Sequence, residues 1–342
     1  MPTNCCDIST RINNTDKDMK NRSTIALLLS VVTIVMLVCV CATDKDSTAL
    51  QGAAPQQQPQ IYSPSLPDTM SFAGESVPLD IYYVREGLDR EMIVNTFGHT
   101  NTLLYFKRAH RYFPIIEPLL KKHGVPNDFK YLCVIESGLT NATSPAKAQG
   151  FWQFMKATGQ KYGLEVNDEI DMRNNIEAAT EAACRYLKDL KKNLGSWTAA
   201  AAAYNCGEGG LSKNMGKQSI SSYYDTRLNN ETSRYVYRIL AVKQIMQHPQ
   251  AYGFYLRPCD LYPTLPTRTT TMSGQNIDLY EFAKTNGTTY KLFRELNPWI
   301  TTEKLVNKAN KTYTVKLPTE AGASLRKIRT DRDKGTEYIT KM

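Results

Sequence analysis

The chain has 342 residues, which is enough for a sizeable core and more than one domain. Its formal net charge of +9 is spread along the sequence without a dense block of lysine and arginine. No zinc-ligand spacing or RNA-binding motif accompanies that charge, so nucleic acid is not expected as a partner. The histidines, His99, His110, His123 and His248, form no metal-ligand spacing, and no metal or cofactor is predicted.

The N-terminal segment, residues 1–42, contains an apolar run from about Thr24 to Ala42, preceded by Lys17, Lys20 and Arg22. This pattern indicates export, as a cleaved signal peptide, a lipid-anchored segment or an uncleaved membrane anchor. Each alternative places the remainder outside the cytoplasm, with membrane contact only through this segment. Residues 43–78, rich in Gln, Pro, Ser and Ala, are predicted to be a flexible linker.

The rest of the chain divides into a helical part and a mixed part. Residues 79–256 carry successive amphipathic patterns, the clearest over "NNIEAATEAACRYLKDLKKNLG", and few strand signals. Residues 268–318 alternate extended pieces with two short helical ones, and residues 319–342 form a charged tail that we expect to fray. The prediction is a mainly α fold, with a helical domain followed by a small α+β domain.

Four cysteines, Cys133, Cys184, Cys206 and Cys259, lie beyond the N-terminal segment. Their wide, irregular spacing fits neither a disulfide framework nor a zinc site. Small buried side chains are the simplest interpretation, and the predicted export leaves one disulfide possible.

The stretch "FKYLCVIESGL" places one carboxylate, Glu136, in the last turn of a helix that is apolar on all sides and ends at Gly138. Burial and the negative end of the helix dipole both favour the neutral acid. A carboxyl protonated near neutral pH is what a general acid needs. The alternative is a structural ion pair with Arg108 or Arg111, and this stretch alone does not separate the two.

Three motifs follow one another on the helical part: "IESGLTNATSPAKAQGFWQFMKATGQKYGL", "AAAYNCGEGGL" and "ETSRYVYRILA". Together, over roughly residues 79–255, they resemble the lysozyme-like lytic transglycosylases of the soluble type, most closely the membrane-bound D group of bacteria. The resemblance implies a lysozyme-like helical catalytic domain over residues 79–256. It also implies glycan strands of peptidoglycan as the substrate, with no cofactor.

The family pattern maps onto this sequence residue by residue. It implies Glu136 as the sole catalytic acid and base. The substrate-binding residues implied are Ser137, Gln153, Met155, Tyr204, Asn205 and Tyr235. Lys147 stands where the family usually has glycine; lysine is unfavourable at positive φ, so a slightly different loop is expected.

Several motif residues also have structural interpretations. Trp152 could stack on a sugar, although a core position is the more usual role at helical spacing. Met155 and Tyr204 could serve packing, and Asp171 is interpreted as a helix cap. Cys206 has no histidine partner in the sequence, so a thiol nucleophile is not expected.

The implied reaction cleaves the β-1,4 bond from N-acetylmuramic acid to N-acetylglucosamine and leaves a 1,6-anhydro end. A single carboxyl suffices if the acetamido group of the sugar supplies the second catalytic group. Two alternatives remain open: a hydrolytic muramidase on the same fold, and a catalytically silent peptidoglycan-binding protein.

Residues 268–318, with "ELNPWI" and "VKLP", resemble a LysM carbohydrate-binding module in strand-helix-helix-strand order. The opening strand motif is degenerate. Glycan binding and a structural or partner-binding cap are therefore both open for this region.

Overall fold

The computed structural model describes residues 61–320, 324–328 and 335–342, and residues 63–342 belong to one compact unit. The predicted export segment (residues 1–42) and the greater part of the predicted linker lie outside the described residues. No helix in the described ranges has the length and apolar character needed to cross a membrane.

The last part of the predicted linker is folded, which corrects the expectation of flexibility up to residue 78. Strands β1 (Ser71–Phe72) and β2 (Glu75–Ser76) form an antiparallel hairpin. Phe72 is fully buried and packs edge-on against Phe129. The Glu75 carboxylate accepts hydrogen bonds from the backbone N–H groups of Trp197 (2.6 Å) and Thr198 (2.8 Å), where a helix begins. An acid at the positive end of a helix anchors this hairpin.

A helical domain follows, with the bounds α1 Tyr82–Phe97, α2 His99–Lys122, α3 Phe129–Ser137, α4 Lys156–Lys161, α5 Ile176–Leu194, α6 Trp197–Cys206, α7 Glu208–Gln218 and α8 Asn230–Gln247. Short 3-10 turns cover Met172–Asn174, Pro249–Tyr252 and Pro258–Asp260. The pattern over residues 176–194 is confirmed as a helix. Asn175 caps its start by accepting from Ala178 N–H, and Gly195 ends it at φ +83°.

The core of this domain forms where α8 packs against α1, α3 and α6, while α5 packs against α2 and α6. Helix α6 is buried throughout its run of alanines, Ala199 to Ala203, because side chains this small let neighbouring helices approach closely. The start of α8 differs from prediction: Asn229, rather than Thr232 or Ser233, is the cap, and its side chain accepts from Thr232 N–H at 2.8 Å.

The C-terminal domain, residues 267–318, contains β3 (Thr267–Met272), β4 (Ile277–Asp278), α9 (Leu279–Thr285), α10 (Tyr290–Leu296), β5 (Lys304–Leu305) and β6 (Tyr313–Pro318). Strands β3 and β6 pair antiparallel, from Thr267 opposite Pro318 to Met272 opposite Tyr313. This is the predicted strand-helix-helix-strand order. The mainly α fold with a small α+β domain is therefore confirmed.

The described parts of the tail are a short helix, α11 (Leu325–Ile328), and residues 335–342. The expectation of fraying is wrong for residues 335–342, which return to the helical domain. Ile339 N–H donates to Leu256 O at 2.8 Å, and Met342 N–H donates to Met246 O at 2.9 Å.

Candidate active site

Glu136 is positioned by the end of helix α3. The helix stops at Gly138, which adopts the predicted left-handed conformation (φ +60°) and donates its N–H to Val134 O at 2.7 Å. Glycine is favoured here because it has no Cβ to oppose a positive φ. The acid therefore lies in the last turn, at the C-terminal, electronegative end of a helix whose residues from Phe129 to Val134 are buried.

The environment of Glu136 raises the pKa of its carboxyl to near neutral pH. The side chain keeps some solvent exposure, but protein surrounds its carboxyl group, and this desolvation raises the pKa of Glu136 to about 7. The Tyr235 hydroxyl donates a hydrogen bond to Glu136 Oε1 and, with the nearby Arg238 guanidinium, limits the rise in pKa. Glu231 adds a smaller upward effect. The group is thus available both as an acid and as a base near pH 7.

The alternative of an ion pair with Arg108 or Arg111 is not realised. Arg108 donates to Gly138 O at 3.0 Å, and Arg111 donates to Pro263 O at 3.0 Å. The Glu136 carboxyl instead accepts a hydrogen bond from the Tyr235 hydroxyl. This arrangement favours the general-acid interpretation of Glu136 over the ion-pair interpretation.

A loop over residues 141–155, called the 141–155 loop below, packs against helix α3. Ser137 Oγ donates to Phe151 O at 2.8 Å, so this hydroxyl joins the acid's helix to the loop. Gln153 lies in the loop at φ +48°, and its amide nitrogen donates to Ala142 O and Gly150 O, both at 2.8 Å. As placed here, Ser137 and Gln153 brace the backbone beside the acid.

Of the other predicted site residues, Tyr204 and Asn205 lie on the side of the site formed by α6 and α8, and Met155 lies at the end of the loop. Tyr204 is close enough for the Glu136 charge, together with burial, to raise the pKa of its phenol, and its hydroxyl donates to Trp152 O at 2.7 Å. Asn205 joins this end of the site to α8, since its Oδ1 accepts from Thr232 Oγ1 at 3.0 Å. Met155 ends the loop with 47% of its surface exposed, and none of the described contacts links it to Glu136.

Three further motif residues, Trp152, Asp171 and Lys147, have structural positions that can be compared with their predicted roles. Trp152 is fully buried, and its indole N–H donates to Thr180 Oγ1 at 2.9 Å, so it is a core residue and not a sugar platform. Asp171 caps the turn Met172–Asn174 by accepting from Arg173 N–H, as predicted. Lys147 is at φ +63°, which corrects the expectation that the loop would avoid a positive φ at this position.

Arg238 is a site residue that the sequence analysis missed. It lies three residues after Tyr235 on α8, its guanidinium carbon is 5.5 Å from the centre of the Tyr235 ring, and its charge lowers the pKa of Glu136. The i, i+3 spacing in "YVYR" was the available signal, because residues so spaced share a helix face.

The cysteines near the site, Cys133 and Cys206, are not placed to act as nucleophiles. Burial raises the pKa of the Cys133 and Cys206 thiols, which opposes thiolate formation. Over the described ranges, no group of three His, Cys, Asp or Glu side chains is arranged to hold a metal ion.

Two segments of the chain match known domain families. Residues 113–226 match the Transglycosylase SLT domain, and residues 268–321 match the Soluble lytic transglycosylase C-terminal LysM-like domain. Membrane-bound lytic murein transglycosylase D of Escherichia coli (strain K12) is 31% identical over 202 residues, which are 56% of this chain and 44% of that protein. The same protein from E. coli O6:H1 gives the same values.

A putative tributyltin chloride resistance protein of Alteromonas sp. (strain M-1) is 31% identical over 104 residues, 30% of this chain and 50% of that protein. The chain thus spans about half or less of the length of these curated relatives. The segment that matches the Transglycosylase SLT domain contains Glu136 and the 141–155 loop. The segment that matches the LysM-like domain contains the strand-helix-helix-strand unit. The chain therefore carries a transglycosylase SLT domain followed by a C-terminal LysM-like domain, and it is homologous to membrane-bound lytic murein transglycosylase D.

Proposed function

We propose that this protein is a peptidoglycan lytic transglycosylase that cleaves the β-1,4 bond from N-acetylmuramic acid to N-acetylglucosamine, with Glu136 as its single acid and base. The observation that carries the proposal is the Glu136 carboxyl, which lies in the matched SLT domain, has its pKa raised by burial to about 7, and accepts a hydrogen bond from the Tyr235 hydroxyl of helix α8. The homologous membrane-bound lytic murein transglycosylase D of E. coli supports the same activity.

The proposed reaction has two proton transfers through the same carboxyl. Protonated Glu136 donates its proton to the glycosidic oxygen as the bond to the anomeric carbon breaks, and the acetamido oxygen of the muramic acid bonds to that carbon. The Glu136 carboxylate then takes the proton of the C6 hydroxyl, whose oxygen displaces the acetamido oxygen and closes the 1,6-anhydro ring. Tyr235 stabilises the carboxylate between the steps by donating its hydroxyl hydrogen.

A hydrolytic muramidase is the second candidate, and Glu231 is the observation that favours it. A second carboxylate could activate water, and the charge of Glu231 reaches Glu136. However, Glu231 is exposed, and its Oε1 accepts from Asn205 Nδ2 at 3.4 Å. We therefore assign no proton transfer to Glu231 and expect Glu231→Gln to keep the product unchanged.

Mass spectrometry of purified peptidoglycan sacculi after digestion separates the candidates. Anhydro-muropeptides support the proposal, and reducing muramic acid ends support the muramidase. Sacculi that bind the protein but stay undigested would indicate a silent binding protein. A digestion with Glu136→Gln under the same conditions controls for contaminating activity.

The domain assignment and location follow from the same proposal. We assign residues 79–256 to catalysis and residues 268–318 to the LysM-like domain. Residues 1–42 direct the chain to the periplasm or cell envelope and are cleaved, lipidated or retained as an anchor. The membrane-bound relative supports this location. Fractionation of cells that express the full chain, followed by N-terminal sequencing of the mature protein, tests it.

A further inference from the structure

The C-terminal domain is joined to the helical domain by main-chain pairing. Ile170 and Ile300 form an antiparallel bridge. Asp171 N–H donates to Trp299 O at 2.7 Å, and Thr301 N–H donates to Glu169 O at 2.8 Å. Ile170 is 1% exposed and belongs to the hydrophobic core of the C-terminal domain. A segment of the helical domain therefore completes the core of its neighbour.

Two carboxylates on the same segment add side-chain contacts across the junction. Glu169 accepts from Val306 N–H at 2.6 Å and from Asn307 N–H at 3.2 Å. Glu165 accepts from the Tyr313 hydroxyl at 3.2 Å and pairs with Lys311 at 3.0 Å. Carboxylates that accept from backbone N–H groups form strong, directional bonds, so the junction fixes the position of residues 165–171.

The end of this segment connects the junction to the 141–155 loop. The Asp171 carboxylate holds the Arg173 guanidinium by two hydrogen bonds, at 2.9 Å from Nε and 2.7 Å from Nη2. The remaining nitrogen, Nη1, donates to Lys147 O at 3.1 Å and to Phe154 O at 3.0 Å. Arg173 thus bonds the loop at its middle and near its C-terminal end, and both partners of the ion pair are largely buried.

The loop in turn contacts the acid's helix and has little room to move. Phe151 O accepts from Ser137 Oγ, next to Glu136. A Cβ added at Gly150 would lie 1.9 Å from Arg173 O, which shows how closely the loop backbone approaches the turn containing Arg173. A displacement of Arg173 would therefore move the loop and, with it, Gln153 and the backbone beside Glu136.

We propose that the C-terminal domain positions the 141–155 loop against the Glu136 helix through Asp171 and Arg173, and that Arg173 is a positioning residue for the substrate groove. This inference rests on the proposed function for its kinetic consequence. This positioning role is distinct from the glycan binding that the sequence leaves open for this domain. The domain acts on soluble substrate too, because it holds part of the groove in place.

The test at the loop uses Arg173→Lys in the full chain. Lysine keeps the positive charge beside Asp171 but lacks the planar fork that reaches both the carboxylate and the two loop carbonyls. We expect amide hydrogen exchange in residues 141–155 to become about tenfold faster. We also expect KM for soluble glycan fragments to rise about tenfold, with the pH dependence of kcat unchanged because Glu136 remains. Arg257→Lys is the matched control, since Arg257 makes the same two-pronged bond to Asp260 at an exposed site.

The test at the junction uses Glu169→Ala, which removes the acceptor of two N–H groups in the C-terminal domain without touching the loop. We expect faster exchange in both residues 299–307 and residues 141–155, with KM rising as for Arg173→Lys. Glu181→Ala, at a partly exposed ion pair with Lys122, serves as its control.

Two results overturn the proposal. Unchanged exchange and KM in Arg173→Lys would remove Arg173 as a positioning residue. Faster exchange confined to residues 299–307 in Glu169→Ala would show that the C-terminal domain does not act on the loop. Failure of the proposed function is distinguishable, because a wild-type protein inactive on peptidoglycan would still give the exchange results.

Discussion

At the scale of single residues, the chemistry depends on a carboxyl whose pKa the fold raises to near neutral pH. Desolvation raises the pKa of Glu136 to about 7, while the Tyr235 hydroxyl and the Arg238 charge limit the rise. These opposing effects leave both protonation states accessible near pH 7, which a group acting first as acid and then as base requires.

Glu136→Gln should abolish glycan cleavage while leaving the fold intact. The amide is nearly isosteric with the carboxyl but cannot donate or accept the transferred proton, so the rate should fall roughly 10²-fold or more. Release of muropeptides from sacculi measures the rate, and circular dichroism reports the fold. A variant that keeps more than a tenth of the wild-type rate would contradict the single-acid mechanism.

The same substitution should change stability in a pH-dependent manner. The folded-state pKa of Glu136 lies above the value of 4.5 for an unperturbed glutamate, so the wild-type loses stability as pH rises from about 4.5 to 7. Glu136→Gln does not titrate. We expect it to be more stable than the wild-type by about 3 kcal/mol at pH 8, with the difference disappearing below pH 4.5. Urea unfolding at both pH values measures this, and an equal difference at each would contradict the raised pKa.

Tyr235→Phe should slow turnover and shift its pH profile. Because the Tyr235 hydrogen bond lowers the pKa of Glu136, its loss should raise that pKa and move the alkaline limb of the pH-rate profile upward. We expect a rate loss of about tenfold, since a bond to the carboxylate is removed. Thermal melting provides the control: a variant that melts much earlier yet turns over at the full rate would make Tyr235 a packing residue only.

At the scale of elements, the 141–155 loop contains local strain. Lys147 and Gln153 both adopt positive φ, which L-residues other than glycine disfavour by about 1–2 kcal/mol. The loop keeps this conformation because its backbone is bonded from several directions, including by the guanidinium of Arg173.

Lys147→Gly should stabilise the protein by about 0.5–1 kcal/mol, since relief of the left-handed strain exceeds the added entropy of the unfolded chain. The Lys147 side chain is exposed, so little packing is lost. Lys188→Gly, at an exposed position inside α5, is the matched control and should destabilise by about 1 kcal/mol. Denaturant unfolding compares the two; a loss of stability in both variants would rule out strain at Lys147.

Much of the element order could be predicted from local patterns. Apolar periodicity and capping residues identified α5, and the left-handed glycine identified the end of α3, because these signals lie within a few residues of one another. The hairpin around Phe72 and the hydrogen bond from Trp152 to Thr180 could not be predicted, because Phe129 and Thr180 are distant in sequence. The role of Arg173 could not be predicted either, because its partners in the loop are backbone carbonyls and backbone groups do not depend on residue type.

At the scale of the whole molecule, the helical domain includes residues that precede the C-terminal domain and residues 335–342, which follow it. Residues 335–342 bond to Met246 and Leu256, and the Tyr131 hydroxyl donates to Met342 O at 3.2 Å. Ile339 and Met342 also pack against the main hydrophobic core. The end of the chain thus supports the helix that carries Glu136.

Deleting residues 335–342 should destabilise the helical domain by about 2–4 kcal/mol, from lost hydrogen bonds and newly exposed apolar surface. The midpoint of urea unfolding, followed by tryptophan fluorescence, measures the change. Lys341→Ala, at an exposed position in the same segment, should have almost no effect. An unchanged midpoint in the deletion would show that these contacts do not contribute to stability.

The return of residues 335–342 also has a consequence for the order of events at the ribosome. Synthesis proceeds from the N-terminus, so the C-terminal domain leaves the exit tunnel before the helical domain has all of its contacts. A nascent chain arrested before residue 335 is therefore expected to be cleaved by protease within residues 129–137 and 246–256, where the finished protein is protected. The helical domain acquires its full resistance only after residues 335–342 have been translated.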